Sequence, residues 1–251
     1  MADDRNRAKD HAELWSRRQV LLYFGAITTS VAGCRRRPSQ PSLAAEAFAA
    51  APPACVVRPE QTEGPYFVDE KLNRSDIRSD PANKSVKLGV PLRLEFHVSR
   101  VAPGACVPLA GAMIDIWHCD ALGVYSDVRD AGFDTRGKKF LRGYQQTDEQ
   151  GHAVFLTIYP GWYEGRAVHI HFKIRSGAET ASSREFTSQL YFDEGVTAQV
   201  FKQAPYNAKN GRRTMNDGDF IFRREGRQLL LTPAKNAQGY AATFDIGLQT
   251  S

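Results

Sequence analysis

Arg166-Ala167-Val168-His169-Ile170-His171-Phe172-Lys173-Ile174 sets apolar residues at every second position. Period-two alternation marks a strand with one face buried. Val168, Ile170, Phe172 and Ile174 then point into a core, while His169 and His171 share the opposite face. Two imidazoles so placed can chelate a metal ion without distorting the strand. A His-x-His pair also occurs on ordinary solvent faces, so the flanking sequence has to decide.

Outward from this stretch the strand pattern repeats. Residues 86–98 alternate around Val90, Leu92, Leu94 and Phe96, and residues 112–118 read Ala112-Met113-Ile114-Asp115-Ile116-Trp117-His118. Residues 152–159, 186–192, 219–222, 228–231 and 242–246 have the same character. Turn signals separate them at Pro103-Gly104, Asp148-Glu149-Gln150-Gly151, Pro160-Gly161 and Asn216-Asp217-Gly218. Short strands with regular turns predict an all-β fold, an antiparallel β-sandwich with few short helices. Helical signal is confined to residues 197–203, ended by Pro205.

The first 54 residues read differently. Ser16-Arg17-Arg18-Gln19-Val20-Leu21-Leu22 opens an apolar stretch that runs to Val31-Ala32-Gly33-Cys34. A charged start, a short apolar run and small residues before a cleavage site make a secretory signal. The arginine pair resembles a twin-arginine signal, and Val31–Cys34 resembles a lipobox, whose cysteine is acylated. Residues 1–33 are therefore expected to be an export signal. Residues 34–54, with Arg35-Arg36-Arg37 and many Ala and Pro, are expected to be a flexible tether. The predicted working domain is 55–251, held in the periplasm or cell envelope and expected to be anchored to the membrane by a lipid at Cys34.

Composition then narrows the function. The chain has 251 residues, 10% of them aromatic, enough to build a core. No apolar run reaches the roughly 18 residues of a spanning helix. The net charge of +5 hints at an anionic partner. Residues 1–33 hold Arg5, Arg7, Lys9, Arg17 and Arg18 against Asp3, Asp4, Asp10 and Glu13, and the tether holds three more arginines. The remaining domain is close to neutral, which argues against nucleic acid. Beyond Cys34 lie Cys55, Cys106 and Cys119; three thiols cannot all pair with one another, and spacing does not choose the pair.

Several separate motifs occur in one order: Glu63-Gly64-Pro65-Tyr66, Pro108-Leu109-Ala110-Gly111-Ala112, Ile114-Asp115-Ile116-Trp117-His118 and Gly123-Val124-Tyr125-Ser126. Tyr159-Pro160-Gly161-Trp162-Tyr163, His169-Ile170-His171-Phe172 and Thr187-Ser188-Gln189-Leu190 follow. Together, over about residues 60–195, they resemble the intradiol ring-cleavage dioxygenases, the catechol and protocatechuate dioxygenases among them. The likeness is strongest to exported, single-chain members.

The resemblance implies a non-haem Fe(III) held by Tyr125, Tyr163, His169 and His171. The loop from Tyr163 to His169 is shorter than in the best-known members, which leaves Tyr159 as a rival for the second phenolate. Ferric iron prefers anionic oxygen, and two phenolates would offset its charge in a dry pocket. The resemblance further implies that a catechol-type substrate displaces Tyr163. O2 then cleaves the ring between its hydroxyl-bearing carbons, giving a cis,cis-muconate-type diacid. Arg166 matches the family's active-site arginine and Gln189 its active-site glutamine, a neighbour of the same ring. Tyr66 is placed at the pocket mouth.

His118, His97 and His152 fall outside the ligand pattern and read as structural. Two alternatives remain. A non-catalytic, ligand-binding β-sandwich lipoprotein would show a broken ligand set. A zinc hydrolase or Fe(II) oxygenase would recruit a carboxylate beside the two histidines, for which Glu164 is nearest. Oligomeric state and the particular catechol are not encoded in any motif.

Overall fold

β1 (Pro91–Ala102) is the spine of one sheet, and its burial alternates along the strand: Leu92, Leu94, Phe96 and Val98 are inside and their neighbours outside. It pairs with β2 (Ala105–Pro108), β5 (His152–Ile158) and β10 (Gly239–Gln249), and β9 (Ala234–Asn236) extends the edge. The second sheet runs in the order β4 (Arg142–Gln146), β3 (Met113–Trp117), β6 (His169–Ser176), β7 (Arg184–Phe192) and β8 (Leu230–Leu231). This is a computed structural model, and it describes residues 55–176 and 184–249. The expected signal (1–33), tether (34–54) and Cys34 anchor lie outside the described residues.

The two sheets meet through aromatic side chains. Phe96 lies 5.4 Å from Phe172, centroid to centroid, and Phe172 lies 5.5 Å from Phe244. Ile114, Ile116, Ile170, Ile174 and Leu190 complete the inner face of the second sheet. Each such side chain contributes about 1.5–3 kcal/mol by leaving water. The alternation through residues 166–174 thus holds: Ile170 and Phe172 enter the core, and His169 and His171 face away from it toward Trp117 and Tyr125.

The sandwich is not wholly antiparallel. β1 pairs with β10 in parallel over ten residues, Leu92 opposite Tyr240 through Val101 opposite Gln249, and β7 pairs with β8 in parallel. Alternation reports which face is buried but not strand direction, so the sheets are mixed where antiparallel order was expected.

Four expected elements also differ. The strand expected over 86–98 begins at Pro91, because Val86 and Leu88 face solvent. Residues 219–222 form no strand: the Asp219 carboxylate accepts from the Ile221 and Phe222 amides and closes a turn there. Phe220 outside and Phe222 inside imitate strand alternation. Residues 226–229 form a 3-10 turn, leaving only Leu230–Leu231 extended. The helix α1 spans Glu194–Val200, three residues earlier than expected at its start, because Asp193 caps it by accepting from the Val196 amide. Cys55 and Cys106 form a disulfide with Cα atoms 5.4 Å apart, and Cys119 is free and buried.

Candidate metal centre

The outer face of the second sheet is covered by long connections rather than by solvent. In the sheet register His171 lies between Trp117 on β3 and Gln189 on β7, and His169 lies opposite Tyr191. The Trp117 indole stacks almost parallel on the His171 ring, centroids 5.0 Å apart at 8°. Gly64 closes over the same imidazole with φ +73°, and a Cβ there would stand 3.2 Å from His171 Cε1. The glycine of Glu63-Gly64-Pro65-Tyr66 is thus required both by its left-handed backbone and by this approach.

Four donor atoms converge. The Nε2 atoms of His169 and His171 are 3.0 Å apart. The Tyr125 hydroxyl lies 3.4 Å from His169 Nε2 and the Tyr163 hydroxyl 3.3 Å from the same atom. His169 Nδ1 lies 2.7 Å from the Ala167 carbonyl, so its proton sits on Nδ1 and the Nε2 lone pair points inward. Both histidines are buried, and burial lowers the pKa of His169 to about 3 and holds that of His171 well below the ordinary imidazole value. Both therefore stay neutral and able to ligate. Burial likewise raises Tyr163 to about 12 and Tyr125 well above the ordinary phenol. Without a cation both phenols keep their protons; a cation among the four atoms would reverse that.

Two oxygens that become anionic on binding and two neutral nitrogens suit a hard, highly charged ion such as Fe(III). The only group of His, Cys, Asp and Glu near enough to share an ion among the described residues is Glu95, His97 and His152, so no carboxylate joins His169 and His171. Glu164 is exposed. The carboxylate that a zinc hydrolase or Fe(II) oxygenase needs is absent from this cluster.

Tyr159 is elsewhere. It is buried in the sandwich core against Phe192, and its hydroxyl lies 2.7 Å from Thr197 Oγ1. The Pro160-Gly161 turn separates the two tyrosines, so Tyr163 and not Tyr159 reaches the histidines. His118 is fully buried with both ring nitrogens engaged, by the Cys119 carbonyl at 2.8 Å and Thr157 Oγ1 at 2.7 Å. It is structural, as expected.

The surroundings hold these groups in place. Arg166 donates through Nε to Asp219 at 2.9 Å, through Nη1 to the Tyr163 hydroxyl at 3.4 Å, and through Nη2 to Gln189 Oε1. Gln189 donates to the Thr62 carbonyl, which fixes its oxygen toward Arg166. Arg142, buried below Tyr125, donates to the Ser126 carbonyl, and desolvation lowers its pKa to about 10. Tyr66 stacks on Tyr125 at 4.4 Å and donates to Asp130.

Sequence reading missed Asp219, Trp117 as a stacking partner, and Asp130. Asp219 is fully buried and also accepts from the Ala167 amide at 2.8 Å. Burial acts to raise its pKa, but that amide and Arg166 outweigh it and hold the carboxyl below its usual range. An Asp within Asn216-Asp217-Gly218-Asp219 carries turn chemistry, and that was the signal available.

A Dioxygenase family model matches residues 62–248. Chlorocatechol 1,2-dioxygenase of Pseudomonas putida is 29% identical over 145 residues, covering 47% of this chain and 52% of the relative. The protocatechuate 3,4-dioxygenase beta chain of Burkholderia cepacia is 33% identical over 140 residues, covering 51% of this chain and 56% of the relative. The chain thus spans about half the length of the curated relatives it matches. The solved structure of an intradiol ring-cleavage dioxygenase from Tetranychus urticae superposes with a TM-score of 0.67 at 29% identity, covering 78% of this chain and 96% of that one. With a family match through most of the 251 residues and four donor atoms gathered where its motifs fall, the chain belongs to the intradiol ring-cleavage dioxygenases.

Proposed function

We propose that the protein is a non-haem Fe(III) dioxygenase that cleaves a catechol-type aromatic between its two hydroxyl-bearing carbons with O2, giving a cis,cis-muconate-type diacid. The observation that carries this reading is the convergence of Tyr125, Tyr163, His169 and His171 in a buried cluster without a carboxylate. When bound, Fe(III) would supply Lewis acidity toward the catechol oxygens and draw electron density from the ring.

The protein groups divide the remaining work. Tyr125 is buried, and Tyr66 covers its ring, so it stays in place. Tyr163 is less buried and sits beside Arg166. It is the group free to swing aside when substrate enters, and the phenolate it would form beside the ion could then accept a substrate proton and become a neutral phenol. Arg166, held from behind by Asp219 and Gln189, presents a fixed positive charge where negative charge grows on the ring. Trp117, Phe67, Val128 and Phe133 pack around the cluster and favour a flat, apolar ligand. A non-catalytic lipoprotein would need one of the four donors missing, and none is.

Export of the domain belongs to the same proposal. The Cys55–Cys106 disulfide supports an oxidising compartment, in keeping with the signal expected over 1–33.

Oxygen uptake against a panel of free, hydroxylated, chlorinated and carboxylated catechols tests the activity. Uptake of one O2 per ring, with formation of a muconate-type diacid, is expected for at least one member. No uptake by ferric-loaded protein with any of them would overturn the reading.

A further inference from the structure

The outer face of the first sheet carries a second group of metal-ligating side chains. Glu95 and His97 are two residues apart on β1 and project to the same side, opposite Leu94, Phe96 and Val98. The register places His152 of β5 across from His97 on one flank and Asp245 of β10 across from it on the other. One ligand atom each from Glu95, His97 and His152 lie within 4.8 Å of one another.

The hydrogen bonding gives the group a direction. His97 Nδ1 lies 3.0 Å from Asp245 Oδ1, and its Nε2 lies 3.2 Å from Glu95 Oε1. A carboxylate accepts only, so His97 Nδ1–H donates to Asp245, and the neutral ring keeps its lone pair at Nε2. That lone pair then faces a second acceptor. Two acceptors so close need a shared cation, either a proton or a metal ion. A proton satisfies His97 and Glu95 but gives the stacked His152 ring, 4.1 Å away at 30°, nothing to do. A metal ion uses all three groups. Asp245 behind His97 is the carboxylate–histidine arrangement that fixes the tautomer and orientation of a ligating ring. Arg93 holds the other Glu95 oxygen, which leaves Oε1 for the ion.

We propose that Glu95, His97 and His152 form a second metal site, oriented by Asp245, for a borderline divalent cation such as Zn2+. Two imidazoles and one carboxylate select such ions over Ca2+ or Mg2+, and over Fe(III), which wants more anionic oxygen. The residues are only half-buried, so water completes the coordination. Bound there, the ion clamps β5 to β1 and, through Asp245, to β10. This site does not depend on the activity proposed above.

The test is a calorimetric titration of Zn2+ into the full chain with its ferric centre loaded, followed by thermal unfolding. One Zn2+ is expected to bind in the micromolar range, raise the unfolding temperature and leave the ferric colour unchanged. His152→Ala should weaken binding at least about 10-fold, and Asp245→Asn about 10–100-fold. Cu2+ bound in place of Zn2+ should show two imidazole nitrogens by electron paramagnetic resonance, and one in His152→Ala. Binding confined to millimolar Zn2+, or unchanged in both His97→Ala and His152→Ala, would mean an adventitious ion only and overturn the proposal. Bleaching of the ferric colour by Zn2+ would assign the ion to the other centre, with the same consequence.

Discussion

Replacing Asp219 with Asn removes one charge from a buried ion pair and leaves Arg166 behind. In the native protein the two Asp219 oxygens accept from Arg166 Nε, the Ala167 amide and the Ile221 and Phe222 amides. An Asn side chain keeps one acceptor and turns an NH2 toward donors on the other side. Breaking a buried pair by removing one partner costs about 3–5 kcal/mol. At a slope of roughly 2–3 kcal/mol per molar urea, the unfolding midpoint should fall by about 1–2.5 M. Activity should fall for a separate reason. Arg166 loses its anchor while Gln189 and Tyr163 still pull on its other nitrogens, so the charge shifts from where the reaction needs it. Loss of a fixed electrostatic donor costs about 100–1,000-fold in kcat; a displaced one should cost less, about 10–100-fold. The assay is O2 uptake on protein with verified iron content, with Asp219→Asn and Arg166→Gln measured singly and together. Because both act through one guanidinium, the double variant should be little worse than Arg166→Gln alone. Fully additive losses, or an Asp219→Asn variant with native midpoint and kcat, would refute the positioning role.

Trp117→Ala strips the flat partner from His171 and a large buried side chain from the site. It should cost about 3–5 kcal/mol of stability and lower iron affinity about 10–100-fold, both readable by urea titration and chelator competition. Gly64→Ala places a Cβ against His171 in a left-handed backbone and should cost about 1–3 kcal/mol; an unchanged midpoint would contradict the close packing. The metal-free protein should lose stability on acidification. His169 and His118 are neutral in the fold down to about pH 3 and 4, and burial likewise holds His171 well below the ordinary imidazole range, whereas unfolded histidines take up a proton near pH 6.5. Between those limits the unfolded chain binds more protons, so each group lowers stability by about 1.4 kcal/mol per pH unit as pH falls below roughly 6.5. Urea midpoints at pH 7, 6 and 5 measure this, and a flat profile would contradict the buried neutral assignment.

The strand β6 was legible because one face is core and the other is chemistry, which alternation separates cleanly, although it begins only at His169. Tyr125, Tyr163, His169 and His171, which the structure brings together, are the residues the family resemblance implies as ligands; no single one of their motifs would have picked them out alone. The resemblance points to Tyr163 as the second tyrosine with Tyr159 as its rival, and which of them lies near the histidines depends on the Pro160-Gly161 turn. Asp219 was not legible. Its partner Arg166 is 53 residues away in sequence, and the turn it closes imitates a strand because Phe220 and Phe222 differ in burial. The parallel pairing of β1 with β10 was hidden for the same reason, since hydrophobic pattern carries no strand direction. The Cys55–Cys106 disulfide depended on bringing residue 55 beside β2, which local sequence does not record.

The central claim is that Tyr125, Tyr163, His169 and His171 hold one ferric ion through two phenolates. Ferric loading of the metal-free protein under visible spectroscopy, with resonance Raman on the coloured form, tests it most directly. One iron per chain, a deep red tyrosinate charge-transfer band and tyrosine ring modes are expected, with the band and the iron both lost in Tyr125→Phe. A native chain that binds no iron and stays colourless, or a Tyr125→Phe variant with an unaltered band, would contradict it.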